Sequence, residues 1–199
     1  MSRLLSALVI SPLALAAAAC SDPPPTPAAM GISINLTPPS QSEVGTDVDI
    51  SGKSCAAEGS GSATYSVGQP APNKTIENGK GGVTVDCTVR GDGSFTAAAA
   101  GLETITKQRI SLNVSGVISD ASAKVAGTGA LQFYTPGTGA LYTRSPFPDC
   151  TFGPVTTMKK GALLADITCP IIVGENPQDG CRAKGTIAFE YCKTGEEED

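Results

Sequence analysis

The residues of this chain best equipped for covalent chemistry are its seven cysteines: Cys20, Cys55, Cys87, Cys150, Cys169, Cys181 and Cys192. A cysteine can serve as nucleophile, metal ligand or disulfide partner, and its surroundings decide which. The chain contains no histidine, which excludes Ser-His-Asp and Cys-His nucleophilic sites and histidine-bound zinc. No Cys-x-x-Cys pair is present to start a thiolate zinc site. Disulfides are therefore the expected state of Cys55, Cys87, Cys150, Cys169, Cys181 and Cys192, and an odd count leaves one thiol over. No metal and no cofactor is expected.

Other candidate groups have ordinary explanations. Ser51 and Lys53, like Ser122 and Lys124, sit two apart, the spacing that places a Ser–Lys dyad on one strand face. So short a motif recurs by coincidence. Asp47 and Asp49 also share a face, and paired carboxylates can hydrolyse glycosides, but this is the wet face of a strand, where solvated charge is the rule. Glu175, Asn176 and Asp179 could offer oxygen atoms to calcium, yet Asn, Pro, Asp and Gly are equally what a turn demands. Arg90-Gly91-Asp92 resembles integrin-binding ligands at a place where Gly-Asp-Gly turn chemistry suffices.

The leftover thiol has a distinctive setting. Residues 1–19 carry Arg3, then an apolar run from Leu4, then small alanines, the arrangement of an export signal. The run is short of the roughly 20 apolar residues a bilayer span needs. Ala17-Ala18-Ala19-Cys20 resembles the lipobox of bacterial lipoproteins, with Ala17 where that family usually has leucine. The resemblance covers only the leader. It implies that Cys20 becomes the mature N-terminus, carrying a diacylglycerol on sulfur and an acyl chain on the amine. Two or more acyl chains anchor stably, whereas one binds marginally. Ser21, in place of Asp, after the cysteine resembles the outer-membrane default of lipoprotein sorting. Residues 20–30 then form a tether, in which Pro23, Pro24, Pro25 and Pro27 favour an extended spacer.

Charge narrows the partners. The chain has 14 basic and 19 acidic residues, and loss of Arg3 with the leader leaves 13 against 19. No basic patch is apparent, so nucleic acid is not an expected partner. The membrane is reached through the N-terminal lipid, and a glycan or an envelope protein is the partner class left. Residues 194–199 read as an acidic tail.

The elements that must position these groups are strands. Val83, Val85, Cys87 and Val89 alternate with polar residues, as do Ile32, Ile34 and Leu36; Ile110, Leu112 and Val114; and Leu163, Ala165, Ile167 and Cys169. Val48 and Ile50 alternate in the same way, as do Ile187, Phe189 and Tyr191. Segments 62–67, 94–99, 122–126, 131–135 and 151–158 are weaker candidates. One wet and one dry face is the habit of antiparallel sheets. Ala97 to Glu103 could instead make a short helical turn. The pattern predicts an all-β domain over 31–193, an antiparallel two-sheet sandwich of jelly-roll or immunoglobulin-like form, stabilised by disulfides, with a closed barrel as the second choice.

Geometry constrains the cysteine pairs. Cys181 and Cys192 bracket one apparent strand and would lie about 35 Å apart if it is unbroken. A disulfide needs Cα atoms within about 7 Å, so only a break at Gly185 would let them pair. Cys150 and Cys169 flank the Lys159-Lys160-Gly161 turn and could face each other; Cys169 and Cys181 could instead close the following loop. Cys87 points inward by parity, which suits an inter-sheet bridge with Cys55. The expected function is a lipid-anchored, non-catalytic module of the bacterial outer membrane that binds, adheres or supports. The alternative is a carboxylate-dependent hydrolase of envelope polysaccharide.

Overall fold

The computed structural model describes residues 25–39, 55, 61–118, 127–176 and 179–195. The leader, Cys20, Asp47, Asp49, Ser51, Lys53, Ser122, Lys124 and the end of the acidic tail lie outside the described residues. So do the candidate strands at 47–51 and 122–126.

The described chain is all-β and antiparallel, with three disulfides. Its strands are β1 (Ala29–Thr37), β2 (Ala63–Val67), β3 (Ile76–Glu77), β4 (Thr84–Val89), β5 (Ser94–Leu102), β6 (Arg109–Val117), β7 (Gly127–Thr135), β8 (Gly139–Tyr142), β9 (Cys150–Lys159), β10 (Ala162–Val173) and β11 (Gly180–Glu190). β1 starts at Ala29, so Ala29 and Met30, expected in the tether, belong to the first strand. The segment from Ala97 is strand through Leu102, because its alternate residues Ala97 and Ala99 are buried beneath the partners β4 and β6 supply.

All eleven strands are hydrogen-bonded into one sheet, in the order β2-β1-β11-β10-β8-β7-β6-β5-β4, with β3 beside β1 and β9 bridging β10 and β7. The sheet must fold over on itself. β2 and β7 are five strand steps apart, about 24 Å in a flat sheet. Yet the rings of Tyr65 and Phe133, one from each, lie 5.4 Å apart. Phe95 of β5 likewise meets Phe152 of β9 edge-on at 5.0 Å. Between the two halves lies a core of Ile, Leu, Val and Phe drawn from the inward parity of every long strand. With few aromatics available, four phenylalanines supply the largest fully buried side chains.

The free end of the sheet, β4, rejoins the chain just beyond β11. Lys193 N–H donates to the Cys87 carbonyl at 3.0 Å, and Val89 N–H donates to the Lys193 carbonyl at 2.8 Å. Cys87–Cys192 locks this junction with its Cα atoms 5.0 Å apart. Alternation would have put Tyr191 inside. Its φ of 57° turns it out instead, leaving it 51% exposed and allowing Cys192 to reach Cys87.

The other bridges are Cys150–Cys169, across the β9–β10 hairpin, and Cys55–Cys181. The suggested Cys87–Cys55 pair therefore does not form, and neither does Cys169–Cys181. β11 passes through Gly185 unbroken, which keeps Cys181 near its start far from Cys192 just past its end. Gly185 is required there because a Cβ would lie 2.0 Å from the Ser33 carbonyl oxygen.

Candidate functional site

The sequence candidates that are described turn out to be structural. Asp92 accepts from the Ser94 N–H at 2.8 Å and its hydroxyl at 2.7 Å, so the carboxylate of Arg90-Gly91-Asp92 is spent on its own turn. Those hydrogen bonds from Ser94 also hold the Asp92 carboxyl below its ordinary pKa. Glu175, Asn176 and Asp179 lie in the β10–β11 connection, where Asp179 N–H donates to the Asn176 carbonyl and Gly174 N–H to the Asp179 carbonyl. No group of three or more acidic, cysteine or histidine residues able to hold a metal occurs among the described residues. The six domain cysteines are buried and oxidised.

One buried acid escaped the sequence reading. Glu103 is 1% exposed and sits in the β5–β6 loop. Its Oε2 accepts from Ile105 N–H at 2.8 Å, from Thr106 N–H, and from the Thr106 hydroxyl at 2.9 Å. Burial opposes its ionisation, but these donors and the Ser66 N–H outweigh that and hold its pKa below the usual glutamate value. It staples a loop, and Glu-Thr-x-Thr was the signal that could have revealed it.

The outward faces of the two halves differ. Over β1 and β11, the β2–β3 loop forms a roof. Gly31 leaves room for the Gln69–Pro70 backbone, and Asn73 N–H and the Thr75 hydroxyl donate to the Glu190 carboxylate. A cleft of about 460 Å³ remains beside this roof, with Leu164 and Ala188 at its floor and Tyr191 and Lys159 on its walls. Over β4 to β8 no such roof is present among the described residues, and a second cleft of about 460 Å³ lies open there.

Register builds that open cleft. Asp86, Ala98, Asn113, Gln132 and Tyr142 stand directly opposite one another across β4, β5, β6, β7 and β8. Beside them runs a second row, Thr88, Thr96, Ser115 and Ala130. Small side chains make the floor, and longer ones stand at intervals. Asn113 Nδ2 donates to Gln132 Oε1 at 3.2 Å. Tyr134, 43% exposed, is diagonal to Tyr142 and continues the aromatic wall. At the far side Asp86 is paired with Lys193 at 2.9 Å. The cleft is polar, shallow and almost free of net charge.

Comparison with protein-family models, curated proteins and solved structures finds no match for this chain.

Proposed function

We propose that this chain is a lipid-anchored, non-catalytic module of the bacterial outer membrane that works by binding or adhesion. In this reading the folded-over sheet serves as a β-sandwich scaffold, and Cys20 holds it to the lipid. The observation that carries the proposal is the cysteine arithmetic. Three buried bridges use six of seven cysteines, so Cys20 is the single thiol left for modification, directly after a lipobox-like leader. The binding role draws support from the open polar cleft, since function is argued from sites and not from folds. A hydrolase would need a second acid close to a catalytic one. Glu103 is the one buried acid among the described residues; its Oε2 is taken by its own loop, its buried Oε1 has no hydrogen-bond partner, and no second buried acid accompanies it.

Expression of the full chain with its own leader in a Gram-negative host tests the proposal. Intact mass should show cleavage before Cys20, added acyl chains and no free thiol. Cys20→Ala should move the protein from the membrane to the soluble fraction. An unacylated Cys20, or unchanged partition of Cys20→Ala, would refute the anchor, and saturable turnover of a polysaccharide would refute the non-catalytic role.

A further inference from the structure

We propose that the open cleft over β4 to β8 binds a neutral oligosaccharide chain lying across the strands. The inference rests on the binding-module reading above and assigns the class of ligand.

The argument runs from the chemistry of the face. Asp86 to Tyr142 spans four strand steps, about 19 Å, so the cleft suits an extended ligand over a compact one. Its polar groups are amides and hydroxyls, which can both donate and accept, as the vicinal hydroxyls of a sugar require. The Asn113–Gln132 pair already shares one hydrogen bond, which orients the remaining donors and acceptors of both amides. Tyr134 and Tyr142 add apolar ring area with a polar tip, matched to a pyranose that has one face of C–H groups and an edge of hydroxyls. The methyl groups of Ala98 and Ala130 leave depth for a ring to settle.

Other ligand classes fit less well. A polyanion needs an unopposed cation, but the lysine at the rim, Lys193, is held by Asp86. Arg109, beyond the other row, reaches back toward the Gly82 carbonyl and the Thr84 hydroxyl. A peptide adding to the sheet needs a free strand edge; β5, β6 and β7 are paired on both sides, and the outer edge of β4 is taken at Val85 by Asn78 and at Cys87 and Val89 by Lys193.

The test uses the full acylated chain in detergent, run in native gels cast with soluble neutral polysaccharides: dextran, β-1,3-glucan, mannan and galactan. Polygalacturonate and heparin form the anionic arm. At least one neutral polymer should retard the protein. Ala98→Trp, which fills the cleft from an exposed position, should abolish that retardation at unchanged thermal midpoint. Should Ala98→Trp fail to fold, Asn113→Ala and Gln132→Ala are the substitutes, each expected to weaken binding about three- to tenfold. The chain has no tryptophan, so Tyr142→Trp is a lone tryptophan, excitable apart from the remaining tyrosines, whose emission should shift with the retarding polymer and not with the others. Retardation by no neutral polymer, by anionic polymers only, or equally with Ala98→Trp would overturn the proposal. None of these results bears on acylation of Cys20, which the mass of the same sample reads separately. Cleavage of the retarding polymer would overturn the non-catalytic reading instead.

Discussion

Removing the Cys87–Cys192 bridge is expected to destabilise the protein more than removing Cys150–Cys169. The two bridges close loops of very different length, 105 and 19 residues. In the chain-entropy account the restriction grows with the logarithm of loop length; with Cys55–Cys181 intact the long loop shortens to about 43 residues (32 from Cys55 to Cys87 plus 11 from Cys181 to Cys192), giving about 4.0 kcal/mol against about 3.2 kcal/mol for the short one. All four cysteines are buried, so the small voids left by Cys→Ala are similar and largely cancel in the comparison. The native consequences also point the same way. Cys150 and Cys169 are on strands that stay paired through the β9–β10 ladder, whereas Cys87–Cys192 secures an edge strand to a segment bonded through a single bridge. Urea unfolding of Cys87→Ala/Cys192→Ala and Cys150→Ala/Cys169→Ala under oxidising conditions, compared with the unaltered chain, measures both. At about 2–4 °C per kcal/mol the thermal midpoints should fall by about 8–16 °C and about 6–13 °C. The long-loop variant should also show the larger increase in denaturant slope, because its unfolded state expands more. Equal losses, or a greater loss for Cys150–Cys169, would refute the assignment of Cys87–Cys192 as the closure of the sheet.

Two further substitutions probe the fold. Glu103→Ala should cost about 1–3 kcal/mol, since it strands the Ile105 and Thr106 donors, and should raise amide exchange in residues 103–108. Because the folded-state pKa of Glu103 is depressed, its stabilising effect is full above the ordinary glutamate value and drains as pH falls below about 4.5 toward the folded value. The acid limb of stability against pH should therefore be shallower in Glu103→Gln than in the unaltered chain, and identical limbs would discount the carboxylate staple. Gly185→Ala should cost about 3 kcal/mol or more, because its Cβ would overlap the Ser33 carbonyl at 2.0 Å and only backbone movement relieves it. A near-neutral chemical-denaturation result would remove the close β1–β11 approach.

What the sequence disclosed was what depends on neighbours in the chain. Val83, Val85, Cys87 and Val89 alternate, and all four are buried as that alternation requires. Cys150 and Cys169 flank one hairpin turn, so their opposition could be read from spacing. β3 and β8 are two and four residues long, too short for a period to register. The early half of β11 was hidden because Gly180, Lys184 and Gly185 interrupt the apolar rhythm. Cys87–Cys192 and Cys55–Cys181 depend on how the sheet folds over, and no local pattern records that. The open cleft was illegible for the same reason. Asn113 and Gln132 look like ordinary wet-face residues until β6 and β7 come into register and set them side by side. Tyr191 shows the limit of parity itself, since one left-handed residue reverses it.

The pairing of β1 with β11 has a consequence for biogenesis. Nine residues of the first strand pair along one edge with the last strand, while the other edge takes β2 and β3. One edge of the opening strand thus stays unmatched until nearly the whole chain is available. Long-range pairing of this kind is slow to form, because the whole intervening chain must be ordered first. It also makes the far terminus a checkpoint, because a product cut short before Gly180 would leave one edge of its first strand unpaired and lack two of its three covalent clasps.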